Sequence, residues 1–230
     1  MRLTWLGHSA CHLETGGRSV LIDPWFEGNP KHPEGYEDRL DKVDLIVLTH
    51  GHEDHGINDA PRLAGKYGAT VVGMFEIVSY LGGRGVEAVE PMNIGGTIER
   101  DGLRLTMVNA LHSSAIMRDG VPVTMGDPAG FVIGSPEGAV YHAGDTEIFS
   151  DMALIQRLHR PRVGLIPIGD RFTMGPESAA LACNELLQLE TVLPIHYGTF
   201  PLLTGDPEVF AGLVRRGQVR VPDPGEPVEL

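Results

Sequence analysis

The chain has 230 residues, of which 42% are hydrophobic and 21% charged, a globular balance that excludes disordered and membrane-embedded classes. Its 31 acidic against 18 basic side chains leave a net charge of -13, which argues against nucleic acid as a partner because phosphate binding needs a basic surface. Two cysteines without a CxxC pair, a start with no apolar leader and no stretch of membrane-spanning length predict a reduced, cytoplasmic protein with no membrane contact.

Residues 2–6, 10–15 and 19–22 read as short strands, the last two joined through Gly16-Gly17 as a hairpin. Residues 27–42 carry proline, glycine and charge without periodicity and read as a loop placed to cover substrate. Leu45-Ile46-Val47-Leu48 is a buried strand. Asp59–Tyr67 follows as a helix with Asp59 as N-cap, Pro61 in its first turn and Gly68 as its stop. Strand 70–73, helix 75–81 and a hairpin of 97–99 with 103–109, turning at Asp101-Gly102, complete a first lobe ending near residue 112. The second lobe, 113–230, reads as strands 129–133, 139–142, 163–167 and 191–195 with helices 149–158, 176–189 and 207–216. In 176–189 the apolar positions Ala179, Leu181, Ala182, Leu186, Leu187 and Leu189 recur at helical spacing behind Pro176. No linker separates the lobes, so 1–230 is taken as a single α/β (α+β) domain.

Directly after strand 45–48 stand His50, Gly51, His52, Glu53, Asp54 and His55. Imidazoles and carboxylates crowded at a strand end desolvate one another unless a cation lies between them, so this HxHxDH turn is a metal nest. Glu53 is expected to face away, since its neighbours already supply the donors. Three more metal-capable residues fall just past strand ends: His112, Asp145 in Ala143-Gly144-Asp145-Thr146, and His196 in Pro194-Ile195-His196-Tyr197-Gly198. Donors distant in sequence converge where strands point to a common edge.

HxHxDH followed by a later His, an Asp and a final His resembles the metallo-β-lactamase fold superfamily. Trp5-Leu6-Gly7-His8-Ser9, Ile22-Asp23-Pro24-Trp25, Tyr141-His142-Ala143-Gly144-Asp145-Thr146 and Phe172-Thr173-Met174-Gly175-Pro176 are similar to small bacterial metal-dependent hydrolases related to ascorbate-6-phosphate lactonases. The resemblance implies a four-layer αβ/βα sandwich, two mixed β-sheets flanked by helices, with a dinuclear site at one edge. It implies His50, His52 and His112 on one ion, Asp54, His55 and His196 on the other, and Asp145 between them. Asp23 and Thr146 are expected to orient these ligands from behind. The cysteine-free donor set suits two divalent ions, Zn²⁺ with Mn²⁺ or Fe²⁺ as alternatives.

Two ions sharing a water lower its pKa and hold a hydroxide that attacks a lactone, ester or phosphodiester of a small-molecule substrate. Asp54, His8 and His142 are the candidate catalytic side chains at the site edge, His8 and His142 as proton donors or positioning groups. Arg171 with Thr173 is the candidate grip on an anionic substrate group. A serine nucleophile fails for want of a GxSxG elbow around Ser9, and Cys11 lacks a base because His12 points to the other strand face. The alternative function is a non-catalytic or redox metal-binding protein of the same fold, and self-association into a homo-oligomer is compatible with either.

Overall fold

The computed structural model describes residues 1–230. In chain order it contains β1 (Arg2–Trp5), β2 (Cys11–Thr15), β3 (Arg18–Ile22), β4 (Leu45–Leu48), α1 (Ala60–Tyr67), β5 (Thr70–Met74), α2 (Phe75–Gly82), β6 (Val89–Met92), β7 (Thr97–Arg100) and β8 (Leu103–Asn109). Then come β9 (Ala115–Arg118), β10 (Val121–Thr124), β11 (Ala129–Ser135), β12 (Gly138–His142), α3 (Met152–His159), β13 (Val163–Pro167), α4 (Pro176–Leu181), β14 (Thr191–Ile195), α5 (Pro207–Leu213), β15 (Gln218–Val219) and β16 (Pro227–Glu229).

Every residue of β4, β5 and β13 is buried, so these strands need cover on both faces. They obtain it in two seven-stranded mixed sheets, ordered β16-β1-β2-β3-β4-β5-β6 and β15-β14-β13-β12-β11-β8-β7, flanked by helices. This is the predicted sandwich. The chain passes from one sheet to the other between Met92 and Thr97, earlier than the expected boundary near 112, and β16 returns to the first sheet beside β1.

Register decides where the site lies. In the first sheet β3, β4, β5 and β6 run parallel, and β1 shares their direction because β2 is antiparallel to both β1 and β3. In the second, β12, β13 and β14 run parallel, and β8 shares their direction through antiparallel β11. The C-terminal ends of β1, β3, β4, β8, β12 and β14 precede His8, Asp23, His50, His112, Asp145 and His196 respectively.

Several elements differ from expectation for identifiable reasons. Asp59 does not cap α1; its carboxylate accepts from Phe26 N (2.9 Å) and Glu27 N (3.1 Å) and pairs with Arg62 (2.9 Å). The helix predicted over 176–189 ends at Leu181 and widens into a π-turn over Ala182–Leu186, because the Asn184 amide reaches the end of α5. Asn184 donates to Leu213 O (3.0 Å) and accepts from Arg215 N (2.7 Å), which also ends α5 before residue 216. Helix α3 starts at Met152, three residues later than predicted. Hairpin β9–β10 forms its own two-stranded sheet, turning at Asp119-Gly120 with φ of 52° and 77°.

His12 is a buried polar anchor of the first sheet. Its Nδ1 meets Tyr36 Oη at 2.9 Å and its Nε2 meets Ser19 Oγ at 2.8 Å, while Ser19 Oγ donates to Lys42 O. Burial pulls its pKa down to about 4. The unfolded chain therefore binds the extra proton first, near pH 6.5, so stability is complete above that value and falls as pH drops toward 4. Across that window in chelator-containing buffer, denaturant titrations are expected to show the wild type losing about 3 kcal/mol more than His12→Gln. Equal losses refute the assignment.

Candidate metal centre

Carboxylate Asp145 sits at the middle of the convergent strand ends, buried with the imidazoles around it. Its Oδ2 lies 3.0 Å from His196 Nε2, 3.2 Å from His55 Nε2, 3.6 Å from His112 Nε2 and 3.9 Å from His50 Nε2. His50 Nε2 and His52 Nδ1 face each other at 2.9 Å. Ligand atoms on one tetrahedral ion bound at about 2.0–2.1 Å stand about 3.3 Å apart, so this spacing is that of coordination edges. Donor atoms of His50, His52 and His112 lie within 4.8 Å of one another, and those of His8, His55 and His196 do the same; Asp54, expected on the second ion, belongs to neither trio. Buried His8 Nε2 and His55 Nε2 have no hydrogen-bond partner. Imidazole nitrogens gathered around a carboxylate in this way fit divalent cations, which would replace any proton held between them.

The electrostatics agree. Burial pushes the Asp145 carboxyl up, but the His196 and His55 imidazoles outweigh that and hold it well below the usual carboxylate range. Burial pulls His50 well below the usual imidazole value, which leaves it a neutral donor. His55 is also pulled down by burial, yet the Asp145 and Asp23 carboxylates drive it well up.

Asp23 orients the nest from behind. Its Oδ2 meets His55 Nδ1 at 2.9 Å and accepts from Thr49 Oγ1 at 2.6 Å, and its Oδ1 accepts from Thr49 N at 2.8 Å. Thr49 Oγ1 in turn lies 3.0 Å from His50 Nδ1. One carboxylate thus fixes two ring orientations, and His55 presents Nε2 to the centre. Thr146 Oγ1 accepts from Leu111 N (2.9 Å) and donates to Glu147 O (2.6 Å), tying the His112 segment to the Asp145 turn. Asp23→Ala removes the partner of three buried donors, with an expected cost of about 3 kcal/mol and about 10–100-fold in metal affinity. Chelator competition and denaturant unfolding check both, and unchanged affinity would exclude the orienting role.

Three residues here adopt the left-handed backbone region without being glycine: His8 (φ 54°), Asp23 (φ 45°) and His196 (φ 58°). Such conformations carry strain that surrounding contacts must hold in place. For His8 the hold comes from its Nδ1 at 3.2 Å from Thr199 Oγ1, Trp5 Nε1 donating to His8 O and His196 N donating to the same carbonyl. His8 Nε2 is 3.5 Å from Asp54 Oδ2, and burial lowers its pKa to about 4.

The centre opens into a cavity of about 990 Å³ lined by His8, His52, Asp54, His112, Asp145 and His196, among others. His50 and His55 lie fully buried behind these. Glu53 is exposed, lines the cavity and belongs to none of the donor groups. His142 stands apart from the opening, fully buried, with Nε2 3.0 Å from Ser9 O and Nδ1 accepting from Gly144 N at 3.1 Å. Both ring nitrogens are occupied by backbone, which leaves none for a substrate. Arg171 and Thr173 do not line the cavity: Arg171 is exposed and Thr173 Oγ1 donates to Met174 O, while Phe172 between them does line it. Sequence reading also passed over Trp25 and Phe200, whose stacked rings (5.7 Å) form the cavity wall beside His8. The quoted motif containing Trp25 was their one signal. Cys11 and Cys183 are buried thiols with pKa values raised by burial, so neither serves as a nucleophile.

The family model described as a beta-lactamase superfamily domain matches residues 18–197. A UPF0173 metal-dependent hydrolase of Methanopyrus kandleri is 51% identical, with both chains covered completely. Another from Chelativorans sp. is 47% identical, again over all of both chains. Among solved structures, the metallo hydrolase Igni18 of Ignicoccus hospitalis superposes with a TM-score of 0.86 at 41% identity, covering 99% of this chain and 97% of its own. With the family profile spanning most of the chain and full-length relatives at about half identity, this protein belongs to the beta-lactamase superfamily and is a metal-dependent hydrolase of the UPF0173 group.

Proposed function

We propose that the centre holds two divalent ions, Zn²⁺ with Mn²⁺ or Fe²⁺ as alternatives, and that the protein cleaves an ester, lactone or phosphodiester bond of a small molecule in the cytoplasm. The observation that carries this reading is the position of Asp145 Oδ2, within 3.0–3.9 Å of imidazole nitrogens from both donor groups. His50, His52 and His112 would hold one ion, Asp54, His55 and His196 the other, and Asp145 both. Bound there, such a pair supplies Lewis acidity and a water acidified toward neutral pH, the source of the attacking hydroxide.

The chain's own residues do the rest. Asp23 and Thr146 keep the ligands in register. His8, neutral and held through Nδ1 by Thr199, turns Nε2 into the cavity beside Asp54, where it positions the substrate oxygen or passes a proton to the leaving group. His142 braces the Ser9 and Gly144 turns instead of meeting substrate. Trp25 and Phe200 exclude bulk water from the reacting edge.

Elemental analysis paired with a panel of ester, lactone, thioester and bis(4-nitrophenyl) phosphate substrates tests this. The expected result is about two metal equivalents per chain and turnover that is lost on chelation and restored by metal. One equivalent or less in fully active protein, or turnover indifferent to chelator, overturns it.

A further inference from the structure

Resting on the hydrolase reading, we infer that the substrate is an uncharged carboxyl ester, thioester or lactone carrying a hydrocarbon or aryl arm, and that phosphodiesters and other anions are poor substrates. The cavity wall next to His8 is aromatic: His8 packs edge-on against Trp25 (5.3 Å) and Phe200 (5.6 Å), which stack on each other. Phe172 and Met117 extend this apolar surface while 52% and 57% exposed, and Leu203 and Pro122 continue it. Large apolar side chains left in water around a polar centre mark a binding surface for apolar ligand.

Charge points the same way. No lysine or arginine lines the cavity, whereas Glu27, Glu53 and Asp59 place carboxylates at its rim. Asp59 is offset by Arg62, but Glu27 and Glu53 have no ion-pair partner, and Glu53 is exposed. The candidate cations are not part of its lining. The Lys31 ammonium lies over the Trp5 and Tyr197 rings at 5.8 and 5.5 Å, and Arg171 is exposed beside the lining residue Phe172 without lining the cavity itself. An anionic arm would therefore pass a negative rim and find no guanidinium or ammonium to receive it.

In the reaction, water adds its hydroxyl to the acyl carbon, the acyl C–O or C–S bond breaks, and the remaining proton ends on the leaving oxygen or sulfur. Hairpin β9–β10, which brings Met117 and Pro122 over the opening, forms the roof against which the arm packs.

A matched pair of esters tests the inference on the metal-loaded enzyme: 4-nitrophenyl pentanoate, and mono(4-nitrophenyl) succinate, its anionic twin with the same leaving group. The expected kcat/KM favours the neutral ester about tenfold or more after correction for solvent hydrolysis, and Glu27→Gln/Glu53→Gln narrows the gap. Lengthening the acyl chain from acetate to hexanoate raises kcat/KM in the wild type and raises it less in Phe200→Ala. Equal or faster cleavage of the succinate, faster cleavage of bis(4-nitrophenyl) phosphate, or a chain-length response unchanged in Phe200→Ala overturns the inference. Binding of the uncleavable amides pentananilide and succinanilate, measured by calorimetry, repeats the comparison without turnover. Selective binding of pentananilide by an enzyme inert toward every ester supports the cavity's preference and sinks the ester-cleavage reading alone, whereas equal binding of succinanilate overturns the preference whatever the turnover.

Discussion

Asp145→Ala is expected to lower turnover by about a thousandfold or more, since it removes the one carboxylate shared by both donor groups, where even a single lost transition-state contact costs about 10²–10³. In the metal-free protein the same change strands a buried cation: His55, driven up by Asp145 and Asp23, keeps only Asp23 as its counter-charge. Removing one member of such a buried pair costs about 3–5 kcal/mol, so the alanine variant is also expected to unfold early. Asp145→Asn separates the two effects. It keeps the volume and one oxygen acceptor, so its unfolding midpoint is expected to stay nearer the wild type than that of the alanine, while its turnover falls with that of the alanine and its bound metal drops. Unfolding curves, elemental analysis and ester hydrolysis on the two variants provide the check, and an active asparagine variant with full metal would remove Asp145 from the centre.

Gly169→Ala should disable the site without touching a single donor atom. A Cβ at this position would stand 2.3 Å from His196 O and 2.6 Å from His196 Nδ1, distances no real side chain tolerates. Neither neighbour is a flexible chain end. His196 is buried, lies in the left-handed region at φ 58° and is held through its own N–H to His8 O. The added methyl must therefore push the His196 turn, and His196 Nε2 moves off Asp145. Metal affinity is expected to fall about 10–100-fold, as when a ligand's support is removed, with about 1–3 kcal/mol of lost stability from overpacking. A control at Gly212, where an added Cβ meets nothing within 4 Å, should leave affinity unchanged. Chelator competition on Gly169→Ala and Gly212→Ala decides the matter, and equal affinities in the two would show that the turn yields without cost to the centre.

What was legible in the sequence was whatever leaves a dense local signature. The apolar run 45–48 and the HxHxDH turn announced both a buried strand and a donor nest, and His112, Asp145 and His196 could be added because each follows a strand. Edge strands were hard to read: β6 carries Glu90 and Pro91, and β9 and β10 are largely exposed, so their alternation does not separate core from solvent. The far end of the helix begun at Pro176 was illegible for a different reason. Its apolar spacing continues past Leu181, but the backbone widens into a π-turn where the Asn184 side chain clamps the end of α5, a long-range contact that no local spacing reveals. In the site, chemistry was readable and direction was not. His8, His142, Arg171 and Thr173 all lie at strand ends or in turns close to glycine, and nothing in those strings says that only His8 reaches the cavity. The aromatic wall was hidden similarly, since Trp25 and Phe200 are 175 positions apart and meet only once the two sheets are stacked.

The centre draws on both sheets at once: His50, His52, Asp54 and His55 follow β4 of the first, whereas His112, Asp145 and His196 follow β8, β12 and β14 of the second. Ions bound there as proposed would act as rivets through the seam between two plates, each worth about 4 kcal/mol of resistance to unfolding when free metal exceeds its dissociation constant a thousandfold. Starvation for metal would then threaten the lifetime of the protein as well as its turnover. A cell short of these ions would lose the enzyme to its proteases and recover the metal it carried.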